Sequence, residues 1–207
     1  MTHRRFTVLV FATLVLIPFG PFASAQSPLY TEMDGWPDPA TSAAGTPALW
    51  NFGQVSGVAT TANDYILVLH RGASPIMLFD AGGRFVRAWG DGLFSSGKVG
   101  GIAPGDRTPG QSGYTAVYGA AGCHACGAHA IRVVPEGNIW VVDAPGHVIY
   151  KMDPTGRVLM ELGSKGVSGE SRTIFNLPTD VAFGPGGEVY VSDGYGNARV
   201  VKYTADG

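Results

Sequence analysis

Charge is scarce in this 207-residue sequence: lysine, arginine, aspartate and glutamate make up 14% of it, with 14 basic and 16 acidic side chains leaving a net charge of −2. No basic stripe interleaved with aromatic residues runs along the chain, and without one the phosphate backbone of a nucleic acid has nothing to hold. Nucleic acid is excluded as a partner on that ground. Long apolar runs are missing too. The stretch from Phe6 to Ile17 holds about 12 residues and is closed by Pro18, Gly20 and Pro21, short of the ~20 that a bilayer demands, so it is not a membrane span. Cysteines number only two. Glycine is the opposite case: 31 of them, roughly double the usual ~7%, exclude long helices and suit an all-β chain with many tight turns.

The N-terminal apolar run has another use. Arg4 and Arg5 precede it, and Ala23-Ser24-Ala25 offers the small residues that signal peptidase accepts, so residues 1–25 are expected to be an export signal with Gln26 as the new N-terminus. The Arg4-Arg5 pair allows a twin-arginine route, although such a doublet is common in any basic leader. The mature chain is then secreted or periplasmic and free of the membrane. It loses two arginines and no acid, for a net charge of about −4. A small molecule or a peptide C-terminus suits it better as a ligand than a polyanion does. Residues 26–55, rich in Pro, Ala, Ser, Thr and Gly, read as an extended lead-in in which Trp36-Pro37 and Leu49-Trp50 can pack down.

The rest of the chain repeats one plan. Leu177 to Tyr203 reads LPTDVAFGPGGEVYVSDGYGNARVVKY, three short β-rich runs (Asp180 to Phe183, Val189 to Asp193, Arg199 to Tyr203) separated by turns at Pro185-Gly186-Gly187 and Gly194-Tyr195-Gly196-Asn197. The plan occurs earlier in Ala128 to Glu161 and in Ser56 to Gly90, where strands are expected at Ser56 to Thr60, Ile66 to His70, Ile76 to Phe79 and Phe85 to Trp89. Asp80-Ala81-Gly82-Gly83-Arg84 and Asp153-Pro154-Thr155-Gly156-Arg157 are equivalent hairpin turns, and Thr204-Ala205-Asp206-Gly207 begins a third. A four-stranded antiparallel unit at a period of about 50 residues is the signature of a β-propeller. Blades are placed at 56–90, 128–163 and 177–207, with a Gly-rich loop at 91–127 that is either disordered or a surface flap, or else a lid bearing Tyr114 and Tyr118. Closing a ring takes at least four blades and commonly six or more. The expectation is therefore an all-β propeller present as an open arc of about three blades, an N-terminal piece of a longer protein with an exposed last edge.

Candidate chemistry sits at the ends of these strands. Cys123-His124-Ala125-Cys126 is compatible with a local disulfide, a metal or free thiols, while Gly127 stands where covalent haem attachment would need histidine. His129 opens its blade's first strand, near the central channel. It is either a hydrogen-bonded structural residue or a metal ligand. His147, starting a middle strand, reads as structural. His70-Arg71-Gly72 and Asp193-Gly194-Tyr195 occupy like positions at the ends of second strands, facing one side of the ring. Arg71 there can clamp a carboxylate, and Tyr195 can accept a proton beside a cation.

Together, NLPTDVAFGPGGEVYVSDGYGNARVVKY, the HRG of the first unit and AHAIRVVPEGNIWVVDAPGHVIYKMDP of the second resemble the NHL-repeat propellers of the peptidyl-α-hydroxyglycine α-amidating lyase type, over Ser56 to Tyr203 apart from the long loop. The resemblance implies a six-bladed propeller holding zinc by three histidines and splitting a C-terminal α-hydroxyglycine into glyoxylate and a peptide amide. It also implies roles: His129 as the first zinc ligand, Tyr195 as the base, Arg71 as the charge stabiliser. Departures from the pattern are Ala128-His129-Ala130 in place of Pro-His-Gly or Pro-His-Ser, Gly196 in place of a cysteine, and Thr179 at the third blade's equivalent turn. The remaining ligands would lie in later blades, so the 207-residue chain alone is expected to be inactive. The competing reading is an exported NHL propeller that binds a ligand or partner protein and catalyses nothing.

Overall fold

The computed structural model describes residues 30–38, 52, 54–95 and 127–207. The export signal, Leu49-Trp50, Tyr114, Tyr118 and the Cys123/Cys126 pair lie outside the described residues. The chain divides into two units, Met1–Asp34 and Gly35–Gly207. Of the first, only 30–34 are described, with Tyr30 and Met33 exposed.

Every regular element among the described residues is a strand, and all of them belong to the second unit. The first sheet is β1 (Val55–Thr60), β2 (Ile66–His70), β3 (Ile76–Phe79) and β4 (Phe85–Trp89). The second is β5 (Ala128–Val133), β6 (Ile139–Asp143), β7 (Val148–Met152) and β8 (Val158–Gly163). The third is β9 (Asp180–Phe183), β10 (Val189–Asp193) and β11 (Arg199–Tyr203). Each is an antiparallel meander in sequence order, the blade of a β-propeller. The strands expected in the first and third units coincide with those observed to within one residue. Among the described residues β11 has no further strand on its outer side, which makes the three blades an open arc.

Burial follows from how many neighbours each blade has. Side chains alternate across a strand, so in β6 Ile139 and Val141 meet Leu67, Leu69 and Ile76 of the first blade, while Trp140 and Val142 meet Phe175, Val181 and Val191 of the third. Both faces are covered and all five residues of β6 are buried. In β10 only Val189, Val191 and Asp193 are buried, because only one face is packed. The first blade's far face gathers Val68, Met77 and Phe79 under Phe52 and Phe85. Trp36 of the lead-in stacks there, 5.6 Å from the Phe79 ring, and Asp38 N–H donates to Gly83 O (3.0 Å).

Turn chemistry recurs with the blades. In the β7–β8 hairpin Asp153 Oδ1 accepts from Thr155 N–H and Arg157 N–H at 2.9 and 3.1 Å, and Gly156 closes the turn at φ +92°. Asp80 Oδ1 accepts from Arg84 N–H (2.9 Å), and Gly83 has φ +86°. Gly207 N–H donates to Thr204 O (3.0 Å) in the third such turn.

A second device also recurs. The buried polar side chains among the described residues are His70, Asp143 and Asp193, each the last residue of its blade's second strand. Asp143 Oδ2 accepts from Ser95 N–H (2.8 Å) and Oδ1 from Gly146 N–H (3.0 Å), tying the connection from the preceding blade to the following turn. Asp193 does the same through Asn176 N–H (2.8 Å) and Asn197 Nδ2 (2.7 Å), and pairs with Arg199 Nε at 2.9 Å. Asp143 fills the space that a Cβ at residue 127 would need, so glycine is required at that close approach. Gly127 N–H also donates to Ser95 O (3.0 Å), which brings the two ends of the long loop together. Its first residues pack down, with Phe94 in the core.

Candidate functional site

The site begins with a local irregularity. Ala128 faces Asp143 and Ala130 faces Val142, so His129 is one residue too many for its partner strand: a β-bulge that re-aims its side chain. The first blade carries the same bulge at Ser56, between Val55 facing His70 and Gly57 facing Leu69. In the third blade the equivalent residue is Thr179, directly before β9.

From the bulge, the His129 ring crosses to the third blade. Its Nδ1 lies 2.8 Å from Thr179 O. A carbonyl only accepts, so Nδ1 carries the proton. Burial, the leading influence, pushes the imidazole pKa below its ordinary value; the Thr179 carbonyl and Asp180 act the other way, and the Arg71 charge adds to the lowering. The ring is therefore neutral near pH 7, and Nε2 bears the lone pair. That nitrogen lies 3.2 Å from Tyr195 Oη, the hydroxyl donating, with the two rings edge to face at 5.3 Å. Asp180 itself is paired with Arg132 of β5.

Two strand ends bring in the partners. Arg71 follows β2; its N–H donates to Gln54 O (3.0 Å), its Nη1 to Gln54 Oε1 (2.9 Å), and its Nε crosses to the second blade to donate to Ala128 O (3.2 Å), next to His129. Tyr195 follows β10 and its buried Asp193; its N–H donates to Leu177 O (3.3 Å) and that of Gly196 to Asn176 O (3.0 Å). Arg71, His129 and Tyr195, from three successive blades, thus lie together on one side of the arc, all half-buried. His147 is not among them. It sits in the turn before β7, at φ +57°, not in the strand, and its Nδ1 accepts from Leu177 N–H (3.1 Å).

His129 suits zinc as a single donor: its Nδ1–H rests on a carbonyl, the arrangement that orients ligand histidines, and Nε2 has the lone pair. A catalytic zinc takes three protein ligands. Among the described residues no group of three or more His, Cys, Asp or Glu side chains is placed to hold a metal.

Sequence reasoning named Thr179 only as a departure from the ligand pattern, not as a partner of His129, and missed Ser192 in this site. Thr179 acts through its backbone carbonyl, which residue type does not advertise. Ser192, in contrast, left a readable mark, a hydroxyl where the sibling blades have Val142 and Leu69.

Residues 175–203 match the NHL repeat. A probable peptidyl-alpha-hydroxyglycine alpha-amidating lyase of Caenorhabditis elegans is 40% identical over 80 residues, 38% of this chain and 23% of that protein. Peptidylglycine alpha-amidating monooxygenase of Rattus norvegicus is 31% identical over 159 residues, 75% of this chain and 16% of that protein. The chain thus spans less than a quarter of either relative's length. A streptogramin B lyase structure superposes with a TM-score of 0.44 at 18% identity, covering 74% of this chain and 38% of that one.

Proposed function

We propose that these blades carry part of the active site of a zinc-dependent lyase that cleaves peptides ending in α-hydroxyglycine into a peptide amide and glyoxylate. The observation that supports this reading best is the meeting of Arg71, His129 and Tyr195, with Nε2 3.2 Å from Tyr195 Oη and Arg71 Nε 3.2 Å from Ala128 O. In this reading His129 Nε2 is one metal ligand, the others coming from outside the described residues as further blades complete a six-bladed ring. Zinc, when bound, supplies Lewis acidity toward the substrate oxygens.

The chain's own residues do the rest. The Arg71 guanidinium, anchored through Nε and Nη1, is placed to bind the substrate carboxylate and steady developing charge. Tyr195 Oη, once its own proton has been given up to solvent, can take the proton of the substrate hydroxyl. As that O–H bond breaks, the carbonyl of glyoxylate forms, the carbon–nitrogen bond cleaves, and the departing amide nitrogen takes the proton back from Tyr195 Oη. The deciding measurement is glyoxylate release from a hydroxyglycine-terminated peptide by protein bearing the full set of blades, with and without a chelator. Chelator-sensitive release is expected. No release above the uncatalysed rate, with zinc supplied, overturns the reading and leaves an NHL propeller that binds without catalysis.

A further inference from the structure

We infer that Thr179, locked in place by Ser192, is a positioning residue for His129: its carbonyl selects the imidazole tautomer whose Nε2 carries the lone pair, which accepts from Tyr195 here and is the pair a metal would take. This rests on the reading of His129 as a metal ligand. The starting observation is a break in the repeat. Opposite the first residue after the bulge, the first and second blades place Leu69 and Val142, and the third places Ser192 opposite Asp180. A hydroxyl in a half-buried strand is unfavourable unless it is bonded. Here both hydroxyls are used. Thr179 N–H donates to Ser192 O (2.8 Å) and Thr179 Oγ1 lies 3.2 Å from the same carbonyl. Ser192 Oγ lies 2.8 Å from Thr179 Oγ1 and 3.2 Å from Asp180 O, so the two hydroxyl protons are shared among these three contacts. The peptide unit carrying the Thr179 carbonyl is therefore held from both ends, and that carbonyl receives His129 Nδ1–H at 2.8 Å. A free imidazole favours the other tautomer, with the proton on Nε2; the fixed carbonyl reverses the preference and turns the bare nitrogen toward Tyr195.

The test is nitrogen-15 NMR of the histidine-labelled 207-residue chain at about pH 8, where an imidazole is neutral. Long-range proton–nitrogen correlations of His129 report which ring nitrogen carries the proton. Wild type and Thr179→Ser are expected to show the Nδ1–H form as the dominant species. Thr179→Val and Ser192→Ala are expected to shift the ratio toward Nε2–H by roughly fivefold, the scale of one hydrogen bond of ordinary net strength. Ser192→Ala removes a single oxygen and keeps the measurement available if Thr179→Val does not fold. An Nε2–H tautomer in wild type, or a ratio unmoved in both Thr179→Val and Ser192→Ala, overturns the inference. Glyoxylate release judges the lyase reading separately, since the tautomer is read without metal or substrate.

Discussion

Tyr195 touches His129 in two ways, through its hydroxyl on Nε2 and through its ring edge, and a single substitution separates them. Tyr195→Phe keeps the ring contact and removes the oxygen. In the full set of blades it is expected to lower kcat by about 10² to 10⁴, the usual worth of a positioned acid or base, with zinc content by metal analysis unchanged; an unchanged rate removes Tyr195 from the reaction. Residue by residue, the site was legible where a side chain of distinctive chemistry stood at a strand end, as His129, Arg71 and Tyr195 do. It was not legible where the working atom belongs to the backbone, as at Thr179. Nor did the sequence reveal the bulge, since one extra residue in a run such as Ala128-His129-Ala130-Ile131 leaves no mark when small residues flank it.

At the scale of single elements, the turns and second-strand ends hold the blades in shape. Gly156→Ala forces a Cβ onto a backbone at φ +92° and within 2.5 Å of Trp89 Nε1. It is expected to destabilise the chain by about 1–3 kcal/mol, read from the urea midpoint; a neutral result means the β7–β8 turn does not clamp Trp89. Asp193→Ala removes the acceptor shared by Asn176, Asn197 and Arg199. Loss of about 3–5 kcal/mol is expected, as for other buried pairs that lose one partner, and a shift under about 1 kcal/mol counts against Asp193 as an anchor. Strands were readable here because turn signals such as Asp80-Ala81-Gly82-Gly83 and Pro185-Gly186-Gly187 bracket them. The buried role of Asp143 and Asp193 was not, because an aspartate beside a turn reads equally as a solvated one.

Over the whole molecule, acid is expected to loosen the arc. Burial is the leading influence that lowers the pKa values of His70, His129 and His147 below the ordinary 6.5. The unfolded chain therefore takes up protons before the folded one, so the stabilisation is complete above about pH 6.5 and is lost as pH falls through that value toward the folded pKa values. Asp143 works in the opposite sense, its carboxyl raised chiefly by burial from 3.8, but its window lies lower, in the carboxylate range. Urea midpoints should thus drop between about pH 7 and pH 5; a flat profile contradicts this. The number of layers a blade touches was legible only indirectly, since the unbroken apolar run of Ile139 to Val142 implies cover on both faces without naming what supplies it.

That sandwiched run has a consequence in time. When the chain is placed in heavy water, the amides of Val141 and Val142 should be among the last to take up deuterium, because freeing them means prising the second blade from both neighbours. Those of β11, with Val200 68% exposed on the outermost strand, should exchange early. Solvent would then win this molecule from its margins inward, and equal rates in β6 and β11 would show that the blades let go together.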